Sequence, residues 1–223
     1  MIDGIVELHR ISVMDNAKHQ RQTNDAHRAI GRYVVEFSGL MYYMRCLMAW
    51  RLTVTGGDPQ ELGELVLGEA WPTAIANAFF GMCRYVSEPD KDEERIASTL
   101  RSAVTKAIKK RNDIAHGDWW VGVAFSRDED IPDPRLVRIH PVRAEGIAKD
   151  MSVPVAELDG LSDSLEALLK LVVVFGHLCL ELPVLLKEGV SSADLRVRDV
   201  LVMDGKQVIQ DGPKAELLGR INW

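Results

Sequence analysis

The chain has 223 residues, of which 47% are hydrophobic and 27% charged, which is the composition of an ordinary globular protein. Aromatic residues are few and the long apolar runs lack the alternation of strands, which argues against a β-sandwich. The formal net charge of −6 argues against a protein that coats nucleic acid through its overall charge, but it leaves room for a local basic site.

The first predicted element is a long helix over about residues 12 to 53. Six of its apolar residues recur at three- and four-residue steps, which is the spacing of one helix face: Ile30, Val34, Phe37, Met41, Met44 and Met48. The TGGDP stretch at 55–59 ends this helix. A second helical region is expected at about 60–86. Pro72 should split it, because proline suits the first turn of a helix better than its interior.

A third helix is predicted over about residues 90 to 116, with an acidic first turn and with Gly117 as its C-terminal cap. The hydrophobic period then changes to two in the stretches WWVGVAFS and RLVRIH. This change predicts a small β-hairpin at about 119–140. Another long helix is expected over roughly 155–186.

These elements predict a mainly α fold, in which four or five helices form an antiparallel bundle with a small inserted β-hairpin. We expect this helical domain to occupy residues 1–190. Residues 191–223 are predicted to form a C-terminal tail with a short hairpin around Asp204 and Gly205, followed by a short helix.

Cysteine usage and hydropathy bear on the compartment. Cys46, Cys83 and Cys179 lie far apart in apolar helical contexts, as core residues of a reduced compartment do. No signal-peptide pattern is expected at the N-terminus. Four residues interrupt the longest apolar run, at 168–186: Lys170, His177, Glu181 and Pro183. We therefore expect a cytoplasmic protein with no membrane partner. No cofactor is indicated, and the histidines lack metal-ligand spacing, so no metal is expected.

The stretch KKRNDIAHGDWW, residues 109–120, raises the functional question. The apolar stripe of the third helix is laid out at three- and four-residue steps by Ile96, Leu100, Ala103, Ala107, Arg111 and Ile114. Arg111 thus falls within that stripe, where an unpaired guanidinium is costly and needs a partner, a cleft or an anion. Asn112 and His116 lie four residues apart beside the stripe.

Each of these features also has a structural explanation. The helix dipole favours His116 in a last turn, and Arg111 could extend to the surface. Residues 101–111 contain five cations and no acid: Arg101, Lys106, Lys109, Lys110 and Arg111. They form either a local positive stripe or a solvated helix face. Trp119 and Trp120 either stack on RNA bases or anchor the hairpin.

The sequence RNDIAH, residues 111–116, resembles the RX4–6H motif of the HEPN superfamily, including the polar residue after the arginine. HEPN domains are α-helical bundles, and many are metal-independent endoribonucleases. The longer pattern RNxxAHG is similar to a bacterial subgroup in which a strand or hairpin follows the motif. The resemblance covers about residues 12–188 and leaves out the tail. It implies a homodimer in which two motifs face each other across a shared cleft.

The resemblance implies RNA cleavage by attack of the 2′-hydroxyl, without a cofactor. His116 would accept the proton, since its ordinary pKa lies near neutrality. Arg111 would hold phosphate oxygens with its planar fork, and Asn112 would orient the imidazole or bind phosphate. The candidate RNA-binding residues are Arg101, Lys106, Lys109, Lys110, Trp119 and Trp120.

Two alternatives to a ribonuclease remain open. One is a non-catalytic HEPN-like module that binds a nucleotide, RNA or a protein partner through the same cleft. The other is a dimeric helical scaffold in which Arg111 and His116 make only structural hydrogen bonds. A ribonuclease of this kind would suit a toxin or a defence system, with an antitoxin as a further protein partner.

Overall fold

A computed structural model describes residues 16–56, 70–115, 118–121, 135–139, 151–181 and 196–210. This part of the chain is mainly helical, with α1 (Asn16–Val54), α2 (Pro72–Ser87), α3 (Lys91–Ala115) and α4 (Val155–Gly176). A π-helical segment, His177–Glu181, continues α4, and a 3-10 turn covers Val197–Asp199. None of the described helices combines the length and apolar character that a membrane span needs.

Two small antiparallel sheets accompany the helices. The first has three strands in the order β1 (Asp118–Val121), β2 (Arg135–Ile139) and β3 (Met151–Pro154). The predicted hairpin corresponds to β1 and β2, whereas β3 was not predicted. Its four residues are too few for a period-two pattern to stand out beside the apolar start of α4. The second sheet pairs β4 (Val202–Asp204) with β5 (Gln207–Ile209).

The turn between β4 and β5 confirms the hairpin expected around Asp204 and Gly205. Gly205 has φ +59°, a left-handed conformation that glycine adopts without steric cost. It occupies the first central position of a two-residue turn, where a type II′ hairpin places glycine. The short helix predicted after this hairpin lies outside the described residues.

The buried face of α1 follows the spacing read from the sequence. Phe37, Met41, Met44 and Met48 are all buried, while Ile30 and Val34 are half-buried. Leu40 and Leu47 widen the buried stripe beyond the predicted residues. This wider stripe is what a helix needs when it packs against more than one neighbour.

Helix α2 begins where proline predicted a break. Pro72 is its first residue and follows Trp71, whose backbone is extended. The helix ends at Ser87, and its C-cap residue Glu88 takes the left-handed conformation with φ 44° and ψ 63° and donates its N–H to the carbonyl of Arg84 at 3.3 Å. The start of α2 is therefore set by proline at its first position, and its end by a left-handed C-cap residue.

Helix α3 starts with a capping box. The Asp90 carboxylate accepts the N–H groups of Asp92 and Glu93 at 3.0 and 3.1 Å, and the Glu93 carboxylate accepts the N–H of Asp90 at 3.1 Å. The predicted acidic first turn is confirmed. The described helix reaches Ala115, and β1 begins at Asp118, so α3 does not continue into the strand.

The hydrogen-bonding pattern of α4 changes at its C-terminal end. After Gly176 the helix becomes π-helical, a form that inserts an extra residue per turn. Leu178, Cys179 and Leu180 are all buried. A Cβ atom at Gly176 would lie 2.6 Å from Leu47 Cδ1 and 2.9 Å from Phe79 Cζ, so a larger residue fits only if these side chains shift.

Contacts divide the chain into two compact units. One comprises Met1–Tyr33 and Ile114–Ser162, and the other comprises Val34–Asp113 and Asp163–Trp223. In the second unit, Phe79, Phe80 and Phe175 form an aromatic cluster with ring centroids 5.2 to 6.4 Å apart. The cluster lies where α2 meets α4.

Candidate functional site

Arg111 lies on the buried face of α3, in the position that the apolar spacing predicts. Its own side chain is half-buried, whereas Val104, Ala107 and Ile108 on the preceding turns are buried. The structure corrects one position of the predicted stripe, because Val104 is buried and Ala103 is only half-buried. The shift of one residue is within the width of a helix face and leaves Arg111 on it.

Two contacts hold the Arg111 guanidinium. Its central carbon lies 5.9 Å from the centroid of the Phe37 ring, and Phe37 is itself buried in α1. Its Nη1 donates a hydrogen bond to Asn112 Oδ1 at 3.3 Å. Within the described residues no carboxylate pairs with Arg111. An aromatic face attracts the cation without neutralising it, so the positive charge remains available.

Asn112 is exposed and uses its carbonyl oxygen for Arg111. Two of the three predicted catalytic residues are therefore in direct contact. The third, His116, and the predicted cap Gly117 lie outside the described residues. So does the predicted direction of the His116 imidazole.

The other candidate RNA-binding residues do not share a face with Arg111. Arg101, Lys106 and Lys109 are exposed and Lys110 is half-buried. Arg101 also donates to Asn77 Oδ1 of α2 at 2.8 Å. Of the five cations, Arg101, Lys106 and Lys109 are therefore exposed, whereas Lys110 and Arg111 are half-buried.

The two tryptophans belong to the first sheet. The backbone of Trp119 pairs with Arg138 and that of Trp120 with Val137, both in β2. Their indole side chains are not among the described ones. The choice between RNA stacking and hairpin anchoring thus stays a prediction.

A second charged cluster, at the start of α3, was not predicted. Glu93 is buried, and Arg196 donates to it through Nε at 3.0 Å and through Nη2 at 2.5 Å. This hydrogen bonding raises the pKa of the Arg196 guanidinium above its usual value. Arg198 pairs with Asp90 next to it. The partners are more than a hundred residues apart, a distance over which a single sequence gives no signal of contact.

A third polar pair lies in the π-helical segment. His177 and Glu181 are each mostly buried, and the imidazole Nδ1 hydrogen-bonds the carboxylate. The pair satisfies two polar groups inside an otherwise apolar stretch. Within the described ranges, no three His, Cys, Asp or Glu side chains are grouped so that they could hold a metal ion.

Comparisons with protein-family models, curated proteins and solved structures identify no relative of this chain. No protein-family model matches the sequence, and no curated protein or solved structure is significantly similar to the chain. The resemblance to the HEPN superfamily therefore rests on the motif at 111–116 and on the mainly helical fold.

Proposed function

We propose that the end of α3 forms the active site of a HEPN-like, metal-independent endoribonuclease built on an antiparallel helical bundle. The observation that carries this proposal is the environment of Arg111, a half-buried cation that lies over the ring of Phe37. A guanidinium kept charged and oriented in this way suits the planar, bidentate recognition of phosphate oxygens.

The chemistry needs a base and a cation. His116 takes the proton from a ribose 2′-hydroxyl, and the 2′-oxygen attacks the adjacent phosphorus. Arg111 stabilises the negative charge that develops on the phosphate oxygens. The bond to the 5′-oxygen breaks, this oxygen takes a proton from water, and the proton held by His116 neutralises the hydroxide that remains. The products are a 2′,3′-cyclic phosphate and a 5′-hydroxyl.

Asn112 holds a supporting position in this scheme. Its oxygen accepts the hydrogen bond from Arg111, which limits the rotation of the guanidinium. Its amide nitrogen supplies a donor for a phosphate oxygen or for the imidazole of His116. We expect the loss of Asn112 to cost less activity than the loss of either Arg111 or His116.

The same proposal includes a homodimer, since the resemblance places two motifs in one cleft. Exposed apolar side chains on α1, at Val35 and Tyr42, are compatible with a helix that meets a second copy. Light scattering at micromolar protein concentration tests the dimer. A clean monomer would remove the shared cleft but would leave the fold unaffected.

The decisive experiment is RNA cleavage in the presence of EDTA. We expect single-stranded RNA to be cut with 2′,3′-cyclic phosphate ends. His116→Ala should lower the rate by roughly 10²- to 10⁴-fold, because it removes the general base. Asn112→Ala, prepared in parallel, should have a milder effect. Cleavage that survives His116→Ala would assign the activity to another site or to a contaminant.

A second candidate function is binding without cleavage. The exposed cations Arg101, Lys106 and Lys109 favour it, because they can contact a phosphate backbone without Arg111. In that case folded protein would bind RNA with an affinity that falls as salt rises, and it would leave a broad panel of RNAs intact. Neutralising Lys106 and Lys109 would then weaken binding, whereas His116→Ala would leave it unchanged.

A further inference from the structure

A cavity of about 160 Å³ lies within the second unit, between α2, α3 and the end of α4. Its floor is apolar and is formed by Phe80, Ala97, Phe175, Cys179 and Val197. Phe80 and Phe175 are in contact there, with ring centroids 5.8 Å apart. The cavity is thus a defined space against the aromatic cluster of this unit.

Two small residues of α3 belong to the lining. Ala97 is half-buried and Ser98 is exposed, so Ala97 is the deeper of the two. A volume of this size is meaningful for ligands, because an apolar cavity of about 150 Å³ holds one benzene molecule. A six-membered ring or a branched hydrocarbon of similar size therefore fits.

The mouth of the cavity is polar and carries two guanidinium groups. The Nε of Arg84 forms an ion pair with Glu94 Oε1 at 2.7 Å. One terminal nitrogen of Arg101 donates a hydrogen bond to Asn77 Oδ1. Each therefore retains terminal N–H donors that no described residue occupies. The hydroxyls of Ser87 and Ser98 lie on the same lining.

Charge at the mouth favours a single negative charge on the ligand. The Glu93 carboxylate also lines the cavity, but Arg196 already neutralises it. Glu94 offsets one of the two arginines, which leaves a surplus of one positive charge. A carboxylate matches this surplus and the fork geometry of arginine.

We propose that this cavity binds a compact monocarboxylic acid, with its aromatic or branched hydrocarbon body on the apolar floor and its carboxylate between Arg84 and Arg101. The site does not depend on the ribonuclease proposal. Phe80 and Phe175 supply the apolar contact, and the arginines supply orientation. Such an arrangement, an apolar pocket with few convergent polar groups, is typical of small-molecule sites.

The test uses the full chain with benzoate and 3-methylbutanoate as probes, in titrations followed by protein-observed NMR. We expect saturable binding with a dissociation constant on the order of 1 mM, as suits ligands with so few atoms. Benzyl alcohol, which lacks the charge, and acetate, which lacks the body, should each bind at least about tenfold more weakly.

Two variants test the position of the ligand. Arg84→Gln should weaken benzoate binding by about tenfold, since it removes charged donors, and Ala97→Leu should abolish binding by filling the cavity. Lys91→Gln is the matched control, an exposed cation of α3 outside the lining, and should leave benzoate binding unchanged. Thermal melts establish that each variant is folded. If Ala97→Leu does not fold, Ala97→Val takes its place.

Three results would overturn the proposal. Equal affinity for acetate and benzoate would mean nonspecific anion binding to arginine. Benzoate binding that Ala97→Leu or its replacement leaves unchanged would place the ligand elsewhere. Displacement of benzoate by an RNA oligonucleotide would assign Arg101 and the mouth of the cavity to an RNA surface instead.

Discussion

The two ends of α3 differ in how their charged side chains are paired. At the first turn, Asp90 and Glu93 cap the helix and are in turn paired with Arg198 and Arg196 from the C-terminal part of the chain. At the last turns, Arg111 has an aromatic ring and an amide as its described partners. The first end forms an ion-pair network, whereas at the other end no carboxylate among the described residues pairs with Arg111.

This difference shows that one helix can contribute to stability at its N-terminus and to ligand binding near its C-terminus. Carboxylates at a helix N-terminus are favoured by the dipole, and a buried carboxylate also requires a cation close by. Such a network holds the tail segment against α3 and has no charge left for a ligand. Arg111, near the C-terminus of α3, pairs with no carboxylate among the described residues. Its guanidinium is therefore suited to bind an anionic ligand.

Among the variants that compare the two ends of α3, Arg111→Lys should have the largest effect. The point charge of lysine cannot hold two phosphate oxygens, so we expect RNA cleavage to fall by about 10²- to 10³-fold. The free energy of unfolding should change by less than about 1 kcal/mol, because only a cation–π contact and one long, exposed hydrogen bond to Asn112 are weakened. Single-turnover cleavage and urea titration measure the two quantities. Lys109→Arg serves as a control and should leave both unchanged. A large loss of stability in Arg111→Lys would make this end structural as well.

Arg196→Ala should show the reverse pattern. It leaves the buried Glu93 carboxylate without its guanidinium, and we expect the free energy of unfolding to drop by about 2 to 3 kcal/mol. The value is below that of a fully buried pair, because the Arg196 side chain is 40% exposed. Cleavage per folded molecule should not change. Arg198→Ala, which breaks a more exposed pair, should cost at most about 1 kcal/mol. Equal losses in the two variants would contradict the central role of Glu93.

Alkaline pH tests the helix that supports Arg111. Tyr33 lies one turn before Phe37 on α1, and burial raises its pKa from 10.0 to about 12. Below pH 10 both states hold the proton and the full stability is present. As the pH rises through this window, the unfolded chain ionises first, so about 2 kcal/mol is lost.

The matched variant for this titration is Tyr33→Phe, which cannot ionise. Urea unfolding of both proteins between about pH 9 and pH 12 isolates the tyrosine, because other ionisations affect both chains alike. Arginine stays charged over this range. Parallel stability curves for the two proteins would show that Tyr33 titrates as it does in the unfolded chain.

The smallest effect is expected for Phe37→Leu, which removes the aromatic face under Arg111. We expect a loss of about 1 kcal/mol in the free energy of unfolding, since the volume is nearly conserved. The Nε–H resonance of Arg111 should lose its ring-current shift, and cleavage should fall a few-fold as the guanidinium becomes less ordered. An unchanged resonance would mean that the ring does not position Arg111 in solution.

Local signals account for what could be predicted. The four helices, the start of α2 at Pro72 and the acidic first turn of α3 depend on spacing and on residues within a few positions of each other. The placement of Arg111 within the buried face also followed from spacing. The sequence required a partner for this arginine but could not identify Phe37, because their contact joins two separate helices.

Long-range contacts and short elements escaped prediction for related reasons. The pairing of Glu93 with Arg196 depends on how the tail segment returns to α3. The strand β3 and the π-helical segment are each only four or five residues long, and neighbouring helical patterns mask them. The cavity beside Phe80 is lined by residues from α2, α3 and the end of α4, and a single sequence does not show that these segments meet.

The glycine before the π-helical segment sets the spacing between helices in this part of the molecule. At Gly176 a methyl group would lie 2.6 Å from Leu47 Cδ1 of α1 and 2.9 Å from Phe79 Cζ of α2, so these side chains would have to shift to admit it. In a library of all twenty residues at this position, selection for folded protein should therefore favour glycine, with alanine tolerated at a cost in stability and larger residues depleted. Gly160, where a Cβ would meet open space, should accept most residues in the same screen.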